Sequence, residues 1–363
     1  MRHIPIIKPT LPPFAAYSKS LERIWKTSLL SNFAYYAQKM EKKAQTYLEN
    51  PHVSIISNCD VGLIITLAAL DLKEGSEVLV PSFTFNSTIN AILWNRLKPV
   101  FIDIDPETFC ITPETVKKGI TAKTGAILGT HVFGCPCDID GIQKVAKKHA
   151  IPVIYDAAHA YGSLYKGKKV GSSGTHIFSF SGTKVVTSAE GGMIASDSKE
   201  FLQKIEYMRN YGFKGDYNSR SIGLNGKISE LNAALGCLTL SEVEKQIKRR
   251  NSRVAFYKKS LNGVGDITFQ IIPSHVRTTY KDFCILTSKR DMLADYLKKK
   301  GIMSKKYFMP LHTMDYYRDE KASLPITESV ASRALCLPLY NTMKREDIRY
   351  VTKTIITFFK KNK

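Results

Sequence analysis

The stretch Ile151-Pro-Val-Ile-Tyr-Asp-Ala-Ala-His-Ala-Tyr-Gly162 is the clearest indication of the fold in this sequence. Its first five residues form a short apolar run with β-branched side chains, a pattern typical of a buried parallel strand. Asp156 follows directly, so its carboxylate is expected at the carboxyl end of that strand, where open α/β sheets bind their ligands. An aspartate at a strand end is by itself more often a helix cap. A ligand-binding role for Asp156 therefore needs a second residue.

Lys184 supplies that residue, in the stretch Ser179-Phe-Ser-Gly-Thr-Lys184 that precedes Glu190-Gly-Gly192. A lone lysine here would most simply be a side chain that snorkels from a buried edge. Its phenylalanine and valine neighbours, however, would strip water from the ammonium and lower its pKa, and a desolvated amine can form a Schiff base with an aldehyde such as pyridoxal phosphate. That cofactor also needs a carboxylate to keep its pyridine nitrogen protonated. Lys184 and Asp156 together predict a pyridoxal 5′-phosphate site.

Strands and helices alternate along the chain, which predicts an α/β fold with a mostly parallel sheet flanked by helices. The predicted strands lie at 77–80, 99–102, 126–129, 152–155, 176–180 and 193–195, after an approach segment at 52–57, and the predicted helices at 61–71, 83–95, 114–119 and 139–149. A long amphipathic helix at 231–247 is predicted to lead to a smaller α+β domain, with a strand near 281–287 and helices at 290–300 and 344–359.

Composition narrows the class of protein. A chain of 363 residues, 44% hydrophobic, is long enough for two domains. It has no apolar run of 18 residues and no signal-peptide pattern, so we expect a cytoplasmic protein with no membrane partner. Seven scattered cysteines indicate a reducing compartment and neither a disulfide framework nor a metal site. Cys135-Pro-Cys137 is interpreted as loop packing in preference to metal or redox chemistry.

The formal net charge of +21 raises the possibility of a nucleic-acid partner. The basic residues are spread along the chain, and no helix-turn-helix, zinc or RNA-recognition signature accompanies them. Lysines on helix faces are most often a solvated surface. We therefore expect no nucleic-acid partner, although a positive field would speed the encounter with an anionic substrate.

The stretches Tyr155–Gly162 and Ser179–Gly192 resemble the two signatures of the DegT-type nucleotide-sugar aminotransferases, which are fold-type-I enzymes dependent on pyridoxal phosphate. The resemblance covers the whole chain. Further ordered matches lie at 28–33 with Glu41, 81–88, 131–138, 223–225, 229–236, 309–312, 324–329 and 337–340.

The resemblance implies the reaction and the assembly. Lys184 would hold the cofactor and then move the proton between the donor's Cα and the cofactor. L-glutamate would be the amino donor, and the acceptor a nucleotide-linked keto sugar, with dTDP-4-keto-6-deoxyhexose favoured over UDP-linked or 3-keto sugars. The product would be an amino sugar for a surface glycan such as lipopolysaccharide O-antigen. The active sites would be shared across a homodimer.

It also implies the arrangement of the chain. We expect an N-terminal segment, 1–45, that packs on the small domain or on the partner subunit, a large cofactor-binding domain at 46–245, and a small C-terminal domain at 246–363.

Four residues acquire cofactor roles by this resemblance. The Ser179 hydroxyl would bind the phosphate, and the Phe85 ring would stack on the pyridine face. His159 would reach the phenolic oxygen of the cofactor. Asn225 would extend to the phosphate in the site of the neighbouring subunit. From its residues alone, Phe85 would be a core side chain, and core packing also remains open for His159.

Three residues acquire substrate roles. Tyr307 and His312 would line the sugar pocket, although His312 could equally be a packed loop residue. Lys227 stands where the family commonly has arginine, a change that keeps the charge but loses the planar fork.

The phosphate end of the site departs from the family pattern, because Cys59-Asp60 replaces the usual Gly-Thr. A dianion is best bound by N–H groups at a helix N-terminus, and the helix that follows Ser57-Asn-Cys-Asp60 is the natural place. We expect Asp60 to turn away as the N-cap while the N–H groups of residues 60 and 61 meet the phosphate.

Three alternatives compete with this interpretation, and the residues of this chain speak against the second and the third. The departure at Cys59-Asp60 leaves a non-catalytic homologue possible. A C3 sugar dehydrase of the same family would have histidine at the position of Lys184. Another fold-type-I enzyme, such as a cysteine desulfurase, would lack the matches at 190–192 and 324–329.

Overall fold

The computed structural model describes residues 3–319 and 322–362, and the ends of each strand predicted from the sequence lie within two residues of the ends of a strand in the structure, while further short strands were not predicted. They are β1 Val53–Ile56, β2 Glu77–Pro81, β3 Lys98–Ile102, β4 Thr124–Thr130, β5 Val153–Asp156, β6 Leu164–Tyr165, β7 Lys168–Lys169, β8 Thr175–Ser179, β9 Gly192–Ala195, β10 Thr268–Phe269, β11 Val276–Arg277, β12 Phe283–Leu286 and β13 Ala334–Leu337.

The helices lie between these strands and at both ends of the chain. They are α1 Phe14–Thr27, α2 Tyr35–Leu48, α3 Cys59–Ala68, α4 Asn86–Trp94, α5 Pro113–Gly119, α6 Ile139–Lys148, α7 Lys199–Met208, α8 Glu230–Leu240, α9 Val243–Leu261, α10 Arg290–Lys299, α11 Pro325–Arg333 and α12 Arg345–Lys361. Short 3-10 turns lie at Val132–Gly134 and Leu311–Thr313.

A seven-stranded sheet of order β1-β9-β8-β5-β4-β2-β3 forms the centre of the large domain. Strands β3, β2, β4, β5 and β8 pair in parallel, β9 runs antiparallel to β8, and β1 pairs antiparallel with β9 at the edge. The segment at 52–57, predicted only as an approach, therefore contains an edge strand. The predicted mostly parallel α/β fold of fold type I is confirmed.

Alternate residues of the central strands enter cores on opposite faces of the sheet. In β5, Val153 and Tyr155 pack with α5 and α6, whereas Ile154 packs with α3, α4 and α7. In β4, Ile127 and Leu128 divide between the same two cores. Side chains of a strand alternate between the faces of a sheet, so a strand covered on both faces must be apolar throughout, which explains the unbroken apolar run at 151–155.

The prediction of one continuous helix at 231–247 is wrong, because α8 ends at Leu240 and α9 begins at Val243. Hydroxyl side chains compete here for carbonyls of α8: Ser241 Oγ donates to the Cys237 carbonyl (3.1 Å) and Thr239 Oγ1 to the Gly236 carbonyl (3.2 Å). Helix α8 is buried almost all around, whereas α9 buries one face. The two helices therefore belong to different packing environments.

The residues after α8 build a second, smaller sheet of order β10-β12-β13, antiparallel, which packs with α9, α10 and α12 around a separate core. Ile4 pairs with Ile302 of this smaller unit. Helices α1 and α2 instead pack against α8, where the Glu230 carboxylate accepts the N–H groups of Tyr36 (2.6 Å) and Ala37 (2.8 Å). The N-terminal segment thus contacts both units, and the boundaries at 45 and 245 remain predictions.

Within the ranges 3–319 and 322–362, no helix has the length and apolarity needed to cross a membrane. All seven cysteines are buried and free. Cys137 donates its thiol proton to the Thr130 carbonyl (3.3 Å) and Cys110 to the Cys135 carbonyl (3.4 Å), in line with loop packing. The described side chains include no cluster of three or more His, Cys, Asp or Glu suited to a metal ion.

Candidate active site

A cavity of about 320 Å³ opens at the carboxyl ends of β4, β5 and β8. One side, which we call the sheet wall, comes from the strand ends and the loops that follow them. It is formed by Asn58, Cys59, Asp60, Thr84, Phe85, Ser87, Thr130, His131, Asp156, Ala158, His159, Ser179, Ser181, Thr183, Lys184 and Glu190. The other side, which we call the lysine wall, is formed by Lys281, Lys305, Tyr307 and Phe308.

Asp156 ends β5 and is the acceptor at the end of a chain of threonine hydroxyls. Thr88 Oγ1 donates to Asp156 Oδ2 (2.7 Å), Thr84 and Thr88 lie 2.9 Å apart, and Thr130 Oγ1 donates to Thr84 Oγ1 (3.1 Å). A hydroxyl has one proton, and that of Thr88 is given to the carboxylate, so Thr84 must donate to Thr88. The Ala158 N–H donates to Asp156 Oδ1 (3.0 Å).

Burial raises the pKa of Asp156, and the bonds from Thr88 and Ala158 act in the opposite direction. Both hydrogen-bond partners are neutral, and no residue within 3–319 or 322–362 forms an ion pair with this carboxylate. A buried carboxylate is stabilised most when a cation completes its surroundings. The site therefore suits a ligand that presents a cationic N–H group to Asp156.

Lys184 lies in the loop between β8 and β9, which is closed at its base by backbone hydrogen bonds. Phe180 N–H donates to the Gly191 carbonyl and Ser188 N–H to the Phe180 carbonyl, both at 2.8 Å. The Lys184 N–H donates to the Ser181 carbonyl (3.0 Å). This base fixes the loop at the end of β8, so Lys184 and Asp156 reach the same cavity from neighbouring strands.

The surroundings of Lys184 lower its pKa to about 8. Burial is the main cause and the positive charge of Lys281 is the second, while Cys59, Asp156 and Asp282 oppose them. A lysine with this pKa has a substantial neutral fraction near neutral pH, and the neutral amine is the nucleophile. The expected desolvation of Lys184 thus agrees with its surroundings in the fold.

Two glycines lie where the loop joins β9, and Gly192, the first residue of the strand, lies against the start of α3. A Cβ on Gly192 would lie 2.7 Å from the Asn58 carbonyl carbon and 2.8 Å from the Cys59 nitrogen, and a Cβ on Gly191 would lie 2.1 Å from Ser188 Oγ. Neither position has room for a side chain. Gly192 therefore allows the backbone to approach the N-terminus of α3 closely, whereas Gly191 leaves room for the Ser188 hydroxyl.

The prediction that Asp60 caps α3 is wrong, because the cap is Asn58. Asn58 has an extended backbone (φ −167°, ψ 170°), and its Oδ1 accepts the Val61 N–H at 2.9 Å. Asp60 is the second residue of the helix and lines the cavity. Of the two N–H groups expected to meet a phosphate, that of Val61 is thus engaged by the cap. The earlier N–H groups, of Cys59 and Asp60, lie at the helix N-terminus where anions bind.

Ser179, Phe85 and His159 all line the cavity. The Ser179 hydroxyl accepts the Ser181 N–H at 3.4 Å, and the Phe85 ring is 55% exposed instead of being a core side chain. His159 stacks parallel to Phe308 (6.2 Å, 12°), and its Nδ1 is a buried atom without a hydrogen-bond partner among the described residues. Burial, followed by Lys184 and Lys281, lowers the pKa of His159 well below its usual value. A neutral imidazole with an unpartnered nitrogen has a hydrogen-bonding position available to a ligand atom.

Of the residues predicted to contact substrate, Tyr307 lies in the lysine wall, where its hydroxyl accepts from Lys305 Nζ (2.5 Å). His312 lies outside the cavity, with Nδ1 2.7 Å from Ser82 Oγ and Nε2 3.1 Å from Glu328 Oε1, which is the packed-loop interpretation. Asn225 and Lys227 also lie outside, bonded to each other at 2.7 Å. Their position away from this chain's own cavity leaves the expected contact across a dimer untested.

The sequence reasoning missed Thr84, Thr88, Lys281 and Lys305. Thr84 and Thr88 stood in a matched stretch, and their spacing of four residues was an available signal for a shared hydrogen-bond network. The two lysines carried no local signal, since Lys281 and Lys305 belong to segments that reach the cavity only through long-range packing.

The residues present fit pyridoxal 5′-phosphate. Lys184 offers the amine, Asp156 a carboxylate without an ion pair, His159 an unused nitrogen, and Phe85 an exposed ring face. The start of α3, closely approached by Gly192, offers N–H groups to a phosphate.

The sequence profile of the DegT/DnrJ/EryC1/StrS aminotransferase family matches residues 15–356. The dTDP-4-amino-4,6-dideoxy-D-glucose transaminase of Escherichia coli is 36% identical over 368 residues, with 97% of this chain and 98% of that protein covered. GDP-perosamine synthase of Escherichia coli O157:H7 is 32% identical, with 99% of each chain covered. Among solved structures, DesI, crystallised in the presence of its TDP-sugar product, has a TM-score of 0.94 at 30% identity and covers 100% of this chain and 94% of that one.

Proposed function

Because this chain belongs to the DegT/DnrJ/EryC1/StrS aminotransferase family, whose members depend on pyridoxal 5′-phosphate, we propose that it transfers an amino group from L-glutamate to a dTDP-linked 4-keto-6-deoxyhexose. The predicted family, enzyme class and cofactor are confirmed. The observation that carries the proposal is the meeting of the Lys184 amine and the Asp156 carboxylate on one wall of a single cavity.

The residues of the sheet wall have separate tasks in this proposal. When bound, the cofactor supplies an aldehyde that takes up the amino group and a ring that stabilises negative charge at the reacting carbon. Lys184 tethers it and, once released, holds and moves the proton at the donor Cα. Asp156 keeps the ring nitrogen protonated, His159 donates to the phenolic oxygen, and Phe85 covers the ring face.

The phosphate would be bound by the Ser179 hydroxyl and by the N–H groups at the start of α3, next to Cys59 and Asp60. Asn225 would complete this site in the neighbouring subunit of a homodimer, with Lys227 beside it. Both side chains lie outside the cavity of their own chain and are bonded to each other, which is compatible with a contact across an interface.

We propose the 4-keto-6-deoxyhexose because a relative at 36% identity is named for a 4-amino-4,6-dideoxy sugar. Tyr307 would contact that sugar from the lysine wall, and His312 would act only by holding its loop. The amino sugar would serve surface glycan synthesis, such as lipopolysaccharide O-antigen, in the cytoplasm, where seven free cysteines would stay reduced.

Transfer to a GDP-linked sugar is a second candidate, because GDP-perosamine synthase is similar over 99% of both chains. A panel of dTDP-, GDP- and UDP-linked keto sugars, incubated with the cofactor-loaded protein and glutamate, separates these acceptors by the mass of the amino-sugar product. We expect the dTDP-linked 4-keto-6-deoxy sugar to react fastest.

The controls are Lys184→Ala, which should give no product, and Lys306→Ala, an exposed lysine outside the cavity that should react like the wild type. A wild-type protein that binds no cofactor, or that aminates none of these sugars, would contradict the proposal.

A further inference from the structure

Lys281 is a buried cation in the lysine wall, across the cavity from the strand ends. Two backbone hydrogen bonds and one ion pair fix its position. Its residue is 4% exposed. Its backbone N–H donates to the Phe133 carbonyl (3.0 Å), and its carbonyl accepts from Arg250 Nη2 (2.6 Å). Its Nζ lies 3.1 and 3.0 Å from the two oxygens of Asp282. The ammonium is thus held at a defined point of the cavity surface.

The ion pair with Asp282 does not explain, through the stability of the fold, why a lysine is buried at this position. The side chains of Lys281 and Asp282 are 5% and 7% exposed, and the desolvation of such a pair often cancels its Coulomb attraction. An ammonium has three N–H donors. Asp282 pairs with Lys281 but does not line the cavity, whereas Lys281 does. A positive charge that lies at a cavity surface despite this desolvation penalty suggests that Lys281 binds an anion in the cavity.

The reaction brings two kinds of anion into the cavity, the carboxylates of an amino-acid donor and the diphosphate of a nucleotide sugar. The α-carboxylate is bonded directly to the carbon whose proton Lys184 moves. The diphosphate is joined to C1 of the sugar, several bonds from a keto group at C4. Lys281 lines the same cavity as Lys184 and His159, and its positive charge lowers the pKa of both side chains, so it lies near the reacting atoms. Lys305 also lines the cavity, but it is an exposed residue, whereas Lys281 is buried.

We propose that Lys281 binds the α-carboxylate of the amino donor. The proposal rests on the proposed transamination, and it adds a residue that recognises the donor. Asp282 positions the ammonium, and Tyr307, whose ring lies 5.6 Å from Lys281 Nζ, borders the same point. The sugar and its diphosphate would occupy the cavity in the other half of the reaction without requiring this contact.

The first test measures binding without chemistry. The cofactor-loaded protein is titrated calorimetrically with glutarate, a five-carbon dicarboxylate that lacks an amino group, and separately with dTDP. For Lys281→Met we expect glutarate to bind roughly 10- to 100-fold more weakly, the loss of a charge-assisted hydrogen bond, while dTDP binding stays within about twofold. Lys281→Arg should restore part of the glutarate affinity, and the exposed Lys306→Met should bind both ligands like the wild type.

Because Lys281→Met leaves Asp282 buried without its partner, the double variant Lys281→Met/Asp282→Asn, which removes both charges, is measured beside it. Its thermal unfolding shows whether the protein stays folded, and it should show the same loss of glutarate binding. Unchanged glutarate binding in the folded double variant would overturn the proposal. A loss confined to dTDP would also overturn it, and would assign Lys281 to the diphosphate.

The second test separates this proposal from the proposed function. In single-turnover experiments, Lys281→Met should slow the half-reaction with L-glutamate and leave the half-reaction with the amino-sugar product nearly unchanged. Equal loss in both halves would mean that Lys281 acts only through Lys184. A wild type that binds glutarate through Lys281 but aminates no sugar would overturn the proposed function alone, whereas a fully active Lys281→Met would overturn this proposal alone.

Discussion

The two walls of the cavity are built by different means. The sheet wall consists of side chains at the ends of neighbouring parallel strands, and its Asp156 receives only neutral donors. The lysine wall comes from segments near 281 and 305–308, outside the central sheet, and presents positive charges. The sheet wall is therefore suited to one resident cofactor, whereas the lysine wall is suited to anions that enter and leave.

The largest expected effect is at the sheet wall. Lys184→Ala removes both the covalent tether and the proton carrier, so we expect turnover to fall by at least roughly 10⁴-fold. Single-turnover mass spectrometry of the amino-sugar product measures it, with Lys306→Ala as the matched control. A Lys184→Ala protein that keeps a hundredth of the wild-type rate would mean that the tether lies elsewhere.

The carboxylate of the sheet wall should give the next effect. Asp156→Asn keeps the shape but cannot hold a ring nitrogen protonated, and we expect a loss of roughly 10²- to 10³-fold in turnover. Thr88→Val removes the donor to Asp156 Oδ2 and the acceptor of the Thr84 hydroxyl but keeps the carboxylate, so a smaller loss, roughly tenfold, is expected. Steady-state rates at saturating cofactor measure both. A larger loss for Thr88→Val than for Asp156→Asn would contradict the order of roles along the hydroxyl chain.

A pH titration tests the coupling between the walls. Below its pKa of about 8, Lys184 is mostly an ammonium and cannot attack an aldehyde, so the rate of covalent cofactor attachment should rise with pH through a midpoint near 8 and level off at higher pH. Removing the positive charge of Lys281, in Lys281→Met, should move this midpoint to higher pH. The attachment rate is followed by absorbance after mixing apoprotein with cofactor. A midpoint that stays in place or moves down would mean that the walls are electrostatically independent.

The smallest expected effect concerns Asp60, a carboxylate in the first turn of α3 where a phosphate would bind. Asp60→Asn removes a like charge from this helix terminus, and cofactor affinity should rise about two- to fivefold at low salt. Equilibrium dialysis measures the affinity, with the exposed Asp315→Asn as control. Affinity that is unchanged or weaker, also in Asp60→Thr, would exclude electrostatic strain at this end of the sheet wall.

The sheet wall could be predicted from the sequence because topology brings it together. The apolar run at 151–155 identified a strand, and the carboxyl ends of neighbouring parallel strands must converge. Lys184, Asp156 and Ser179 therefore reach one cavity because each lies at or just after the end of a strand that the sequence pattern predicts. The central strands were predicted for the same reason, since short unbroken apolar runs are typical of strands that are covered on both faces.

The parts that escaped prediction depend on packing at long range. Nothing near Lys281 in the sequence distinguishes it from the many surface lysines, because its burial arises from contacts with Phe133 and Arg250. The break between α8 and α9 was missed because both helices continue one apolar pattern. The cap of α3 was assigned to Asp60 when Asn58, two residues earlier, has the extended backbone that a cap requires.

The chain of threonine hydroxyls that ends at Asp156 favours a ligand that carries a proton on the atom facing the carboxylate. Every proton in the chain is already turned toward the carboxylate, and the Ala158 N–H cannot reverse its direction. A ligand atom that arrives with a bare lone pair would face an acceptor and be repelled, whereas one that brings its own proton completes the arrangement. The protein thus discriminates between a protonated and an unprotonated ring nitrogen of a heterocycle before any covalent bond is made or broken.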